Sequence, residues 1–79
     1  QIVVWHNQRL DQIMLQKPPL MAIKSYSLHD NNGQLVKKVK PAHNMQTVTI
    51  STPGVVSGIY YIQIETDRRV FTKKCIVLP

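Results

Sequence analysis

From residue 59 to residue 66 the chain reads Ile-Tyr-Tyr-Ile-Gln-Ile-Glu-Thr, and apolar positions alternate with polar ones. A period of two puts Tyr60, Ile62 and Ile64 on one face and sends Gln63 and Glu65 to water, the pattern of a strand buried on one side. The same period recurs along the chain. Asp11 to Gln16 brings Ile13 and Leu15 together, and Met21 to His29 puts Tyr26 and Leu28 on a shared face. Met45 to Ser51 points Val48 and Ile50 inward and Thr47 and Thr49 outward. Gln1 to His6 is a β-branched and aromatic run, and Gln34 to Val39 and Val70 to Leu78 complete the set.

The breaks between these runs carry turn chemistry. Pro18, Pro19 and Pro41 cannot donate to a ladder and mark strand limits. Asp30-Asn31-Asn32-Gly33 supplies residues that tolerate positive φ, and its Asn-Gly pair suits a tight hairpin turn. Pro53-Gly54 and Asp67-Arg68 turn the chain again. No segment holds a helical period. About seven short strands, spaced about 8 to 12 residues apart, predict an all-β fold: an immunoglobulin-like antiparallel β-sandwich.

Composition supports a folded chain, with 43% hydrophobic and 18% charged residues against the low hydrophobicity and high charge of disorder. Its 79 residues suffice for one core and not two, so 1–79 is expected to be a single domain. The sequence starts at Gln1 and is expected to be a piece of a longer secreted or surface protein. No run reaches the ~18 apolar residues of a membrane span, and no charged segment followed by an apolar one marks a secretory signal. Ten Lys and Arg against four Asp and Glu give a net charge of +6, which suits nucleic acid, anionic lipid or an acidic protein as partner.

Candidate chemistry is sparse. His6, His29, His43 and the lone Cys75 form no spacing that fixes tetrahedral metal ligands. Cys75 neighbours Lys73 and Lys74, as a nucleophile would need, yet strand alternation equally turns its thiol into the core. The four carboxylates form no acid-and-base pair, and no Gly-rich loop precedes a helix, so nothing supports an enzyme. Trp5, Tyr26, Tyr60, Tyr61 and Phe71 suit base stacking between lysines, and suit core packing better. Lys37, Lys38 and Lys40 follow one hairpin, and Arg68, Arg69, Lys73 and Lys74 surround the last. Such charges either guard strand edges against aggregation or form a stripe that a partner reads, and the sequence leaves both readings open.

Three motifs, in order, resemble the type A C-terminal sorting domain of the Bacteroidetes type IX secretion system. That family opens with an aromatic, Pro-Asn-Pro, an Asp and a Leu-x-Ile strand, where this chain has Trp5-His6-Asn7-Gln8, Asp11 and Ile13-Met14-Leu15. Its Tyr-Asp, turn and Gly-x-Leu-Val correspond to His29-Asp30, Asn31-Asn32 and Gly33-Gln34-Leu35-Val36. Its Pro-x-Gly-x-Tyr, alternating strand and Lys-containing last strand correspond to Val56-Ser57-Gly58-Ile59-Tyr60 and Lys73-Lys74-Cys75-Ile76-Val77-Leu78. The departures are His6 and Gln8 for the two prolines, His29 for the Tyr, and Val56 for the last Pro.

The resemblance implies a recognition domain with no chemistry and no cofactor of its own, no nucleic acid partner and no membrane span. Its implied motif and recognition residues are Gly33, Leu35, Val36, Gly58, Tyr60, Lys73 and Lys74. Its implied partners are the outer-membrane type IX secretion machinery and a sortase-like peptidase that removes the domain, with an indirect link to anionic lipopolysaccharide. Its implied route runs through the periplasm to the outer-membrane surface or beyond. The competing reading is a structural or adhesive immunoglobulin-like module that binds protein or glycan. An exposed edge strand also leaves open a dimer of the isolated fragment.

Overall fold

A computed structural model describes residues 2–19, 21–40, 47–51 and 55–79. Among these are seven strands: β1 (Val3–Asn7), β2 (Gln12–Gln16), β3 (Ile23–His29), β4 (Leu35–Val39), β5 (Thr47–Ser51), β6 (Gly58–Thr66) and β7 (Val70–Val77). They form two antiparallel sheets, ordered β1-β2-β5 and β4-β3-β6-β7. The expected all-β sandwich is the observed fold. Its fourth strand pairs with the third, whereas the constant-type immunoglobulin arrangement puts that strand on the other sheet.

The alternating positions account for the core. Ile13, Leu15, Val48 and Ile50 come from the three-stranded sheet, and Tyr26, Leu28, Tyr60, Ile62, Ile64, Cys75 and Val77 from the four-stranded one. Burying each large aliphatic side chain here contributes about 1.5 to 3 kcal/mol relative to leaving it exposed. β3 departs from simple alternation, because Ser25 and Ser27 on its second face are buried as well. It lies between β4 and β6, and its small hydroxyls sit beneath the longer side chains of Lys38, Gln63 and Glu65. Ser25 Oγ donates to Glu65 Oε1 at 3.1 Å.

Along the sandwich's two sides the sheets share no ladder among the described residues. On one side β1 packs against β7. On the other, Lys37 Nζ on β4 donates to the Ser51 carbonyl on β5 at 3.3 Å. β4 is otherwise an exposed edge, with Leu35, Val36, Lys37 and Lys38 all open to solvent.

The Asp30–Gly33 stretch forms the expected tight hairpin turn between β3 and β4. The Gly33 amide donates to the Asp30 carbonyl at 3.0 Å and the Asp30 amide to the Gln34 carbonyl at 3.0 Å, which encloses a three-residue loop. Asp30 Oδ1 accepts the amides of Asn32 and Gln34, both at 2.9 Å, so neither asparagine needs the left-handed region. Only Gly33 takes it, at φ +83°. The Asp67-Arg68 turn is held by Thr66, whose Oγ1 accepts the amides of Arg68 and Arg69 at 3.3 and 3.2 Å. The expected breaks at Pro41 and Pro53-Gly54, the strand start at Met45, and His43 lie outside the described residues.

Gly58 has φ +151°, and a Cβ built there meets nothing within 4 Å, as at Gly33. Glycine at 58 is therefore required by the backbone and not by contact with the facing sheet. Gly33→Ala and Gly58→Ala should each cost about 1 kcal/mol or more through strain. Chemical denaturation should find Gly58→Leu close to Gly58→Ala, since there is room for the larger side chain. A far larger loss for leucine would point to a clash instead.

Candidate functional site

β7 presents its two lysines differently because successive residues of a strand face opposite ways. Phe71, Lys73, Cys75 and Val77 form the inward row, and Val70, Thr72, Lys74 and Ile76 the outward row. Lys73 is half-buried opposite Ile62, while Lys74 is exposed opposite Tyr61. Lys74, Cys75, Ile76 and Leu78 line one wall of a groove of about 440 Å³, with Val4, Trp5 and His6 of β1 on the other. Trp5, Ile76 and Leu78 leave much apolar surface exposed, beside a single exposed ammonium group.

Cys75 is a free thiol inside the sandwich. Burial pushes its pKa up, which disfavours the thiolate that nucleophilic or ligand chemistry requires. Burial likewise raises the pKa of Tyr26. Tyr26 and Tyr60 belong to the core and are not available for stacking, and Phe71 is capped by the Arg69 guanidinium at 5.3 Å. Among the described residues no cluster of His, Cys, Asp or Glu could hold a metal ion.

Other motif residues gather at one end of the domain. The Asp30–Asn32 turn and Ser57 to Tyr60 line a shallow cleft of about 250 Å³, and Gly58 pairs with Val77 at the end of β7. The Tyr60 ring is buried and its hydroxyl donates to the Val56 carbonyl four residues upstream. This is a tyrosine corner, the bond that pins the entry to the sixth strand in immunoglobulin-like sandwiches. Leu35 and Val36 are exposed on β4 at the opposite side of the four-stranded sheet, so the structure does not bring them to the β7 lysines.

The four departures from the family pattern each have a local partner. His6 Nδ1 accepts the Leu78 amide at 3.0 Å, and the Gln8 side-chain amide donates to the Pro79 carbonyl. His29 Nε2 lies 2.9 Å from Ser27 Oγ. Val56 contributes its main-chain carbonyl, which any residue supplies. Sequence reasoning missed His6 and Gln8 as contacts, since no local signal links residues separated by 72 and 71 positions. It also missed Lys17, a buried lysine whose Nζ is 3.4 Å from the Pro18 carbonyl.

These elements make a small two-sheet β-sandwich with a charged closing hairpin. The family model for the secretion system C-terminal sorting domain matches residues 7–78. The chain belongs to this family, the C-terminal sorting domains of type IX secretion. It is thus a sorting signal that engages secretion machinery and directs export from the cell. No curated protein matches the chain.

Two outcomes follow from this geometry. Tyr60→Phe should lower stability by about 1 kcal/mol, whereas Val56→Ala should be near neutral because the acceptor is main chain; urea denaturation of both variants checks this. For Cys75, the folded state holds its proton more tightly than the unfolded chain does. Its contribution is therefore complete below the ordinary thiol value of about 8.5 and is lost as pH climbs above it. Denaturation midpoints should fall as pH rises above the ordinary thiol value of about 8.5, and Cys75→Val should flatten that fall.

Proposed function

We propose that the β6–β7 hairpin is the surface gripped by the outer-membrane type IX translocon, with Lys74 as its principal cation. The observation that carries this reading is the outward placement of Lys74 on an edge strand whose far side pairs with no other strand among the described residues. Such an edge offers main-chain donors and acceptors for strand addition, and the ammonium group fixes orientation by pairing with acidic groups of the receptor. Lys73, on the inward row, supports the hairpin from behind. Gly33, Gly58 and Tyr60 shape the end of the domain, and Leu35 and Val36 are a second, apolar contact on the β4 edge.

In this reading the domain performs no chemistry. Its parent protein crosses the periplasm, the translocon binds the domain and passes the cargo to the cell surface, and a sortase-like peptidase removes the domain while joining the cargo to anionic lipopolysaccharide.

The test is a passenger fused ahead of the domain in a type IX-competent bacterium. Lys74→Glu should lower surface-exposed passenger by roughly tenfold, as expected when a paired charge is reversed. Lys40→Glu makes the same change in net charge at an exposed position just after β4 and should leave export near wild type. Equal loss from both variants would mean that bulk charge, and not the hairpin, is read.

A further inference from the structure

The imidazole of His6 is only 2% exposed, although His6 lies on an edge strand and its ring is not part of the apolar core. Its Nδ1 accepts the Leu78 amide at 3.0 Å, and Gln8, two residues on, donates to the Pro79 carbonyl. β7 ends at Val77, which pairs with Gly58, so Leu78 and Pro79 lie beyond the ladder. Main-chain groups just past an edge strand ordinarily fray into solvent. Here one side chain from the end of β1 and one from the turn after it hold main-chain groups of two consecutive residues, an amide donor and a carbonyl acceptor.

The turn is built to support that contact. Because Nδ1 accepts, the neutral ring carries its proton on Nε2. That nitrogen is buried without a hydrogen bond and lies 3.6 Å from Asp11 Oδ1. Asp11 has φ +53°, the one left-handed non-glycine among the described residues, a strained conformation that aspartate tolerates better than most. Asn7 Oδ1 closes the same turn by accepting the Leu10 amide at 3.2 Å. The strain thus sits where it brings a carboxylate to the ring that holds Leu78.

We propose that His6 and Gln8 are positioning residues that latch Leu78 and Pro79 onto the β1–β2 turn, and that the latched conformation is the one the export machinery recognises. The inference rests on the sorting function proposed above and adds how the recognised surface is held in shape. Latching sets the Leu78 side chain into the wall of the groove shared by Trp5, Ile76 and Lys74. Released, that segment leaves Lys74 beside an open seam.

The test pairs His6→Ala and Gln8→Ala with His6→Asn, whose side-chain oxygen reaches the position of Nδ1 and accepts the same amide. By amide hydrogen exchange, Leu78 should exchange roughly tenfold faster in His6→Ala, and His6→Asn should restore protection, with Ile62 and Ile64 unchanged in both. The ring nitrogen shifts of His6 should report the Nε2–H tautomer. In the passenger fusion, the His6→Ala/Gln8→Ala double variant should lose several-fold in export and His6→Asn should retain it. If His6→Ala disturbs the core amides, Gln8→Ala, on the exposed turn, carries the same comparison. Wild-type export of the double variant, or unchanged exchange at Leu78, overturns the latch while leaving the sorting function standing. Undiminished export with β7 scrambled overturns the hairpin reading, and the latch with it.

Discussion

Closure of two unequal sheets over one layer of side chains is the constraint on which this molecule depends. Ile13 and Leu15 of the three-stranded sheet and Leu28, Ile62 and Ile64 of the four-stranded one are essentially inaccessible to water. A chain of this length buries a smaller share of its surface than a larger domain does and has little stability in reserve. The sides of the sandwich therefore matter as much as its centre. Among the described residues no ladder runs across them; β1 packs against β7 on one side, where His6 and Gln8 reach the residues after β7, and Lys37 reaches the Ser51 carbonyl on the other.

The same arrangement explains how a recognition surface is displayed on so small a scaffold. A strand at an edge is exposed to aggregation and also offers the backbone groups that a partner can add to. Outward lysines reconcile the two demands, since charge opposes pairing with a copy of the chain and favours an acidic receptor. In the proposed function, the charges that guard an edge and the charges offered to a receptor are the same side chains, and for that reason the sequence alone did not separate those readings.

Positions at variance with the family pattern are informative because the structure gives each a physical substitute. Proline at the turn after β1 restricts φ without bonding elsewhere. His6 and Gln8 instead act through side chains on a distant segment. Val56 needs only its carbonyl to complete the tyrosine corner, so the side chain there is free to vary. His29 keeps a polar partner, Ser27, on its own strand.

Periodicity alone was enough to place Ile13, Leu15, Tyr26, Leu28, Val48, Ile50, Ile62 and Ile64 in the core and to establish an all-β fold, because side-chain direction along a strand follows from the local pleat. The glycine requirement at Gly33 was legible for the same reason, a turn being a short-range object. The loop length at that turn was not, since the Asp30 carboxylate competes with the Asn-Gly preference. Tertiary structure alone decided that both faces of β3 are covered, that Lys74 and not Lys73 faces outward, that Leu35 and Val36 lie apart from the β7 lysines, and that His6 meets Leu78. Each of these depends on which strand becomes a neighbour and which becomes an edge, and that is settled by closure of the whole chain, not by the spacing of residues within any one strand.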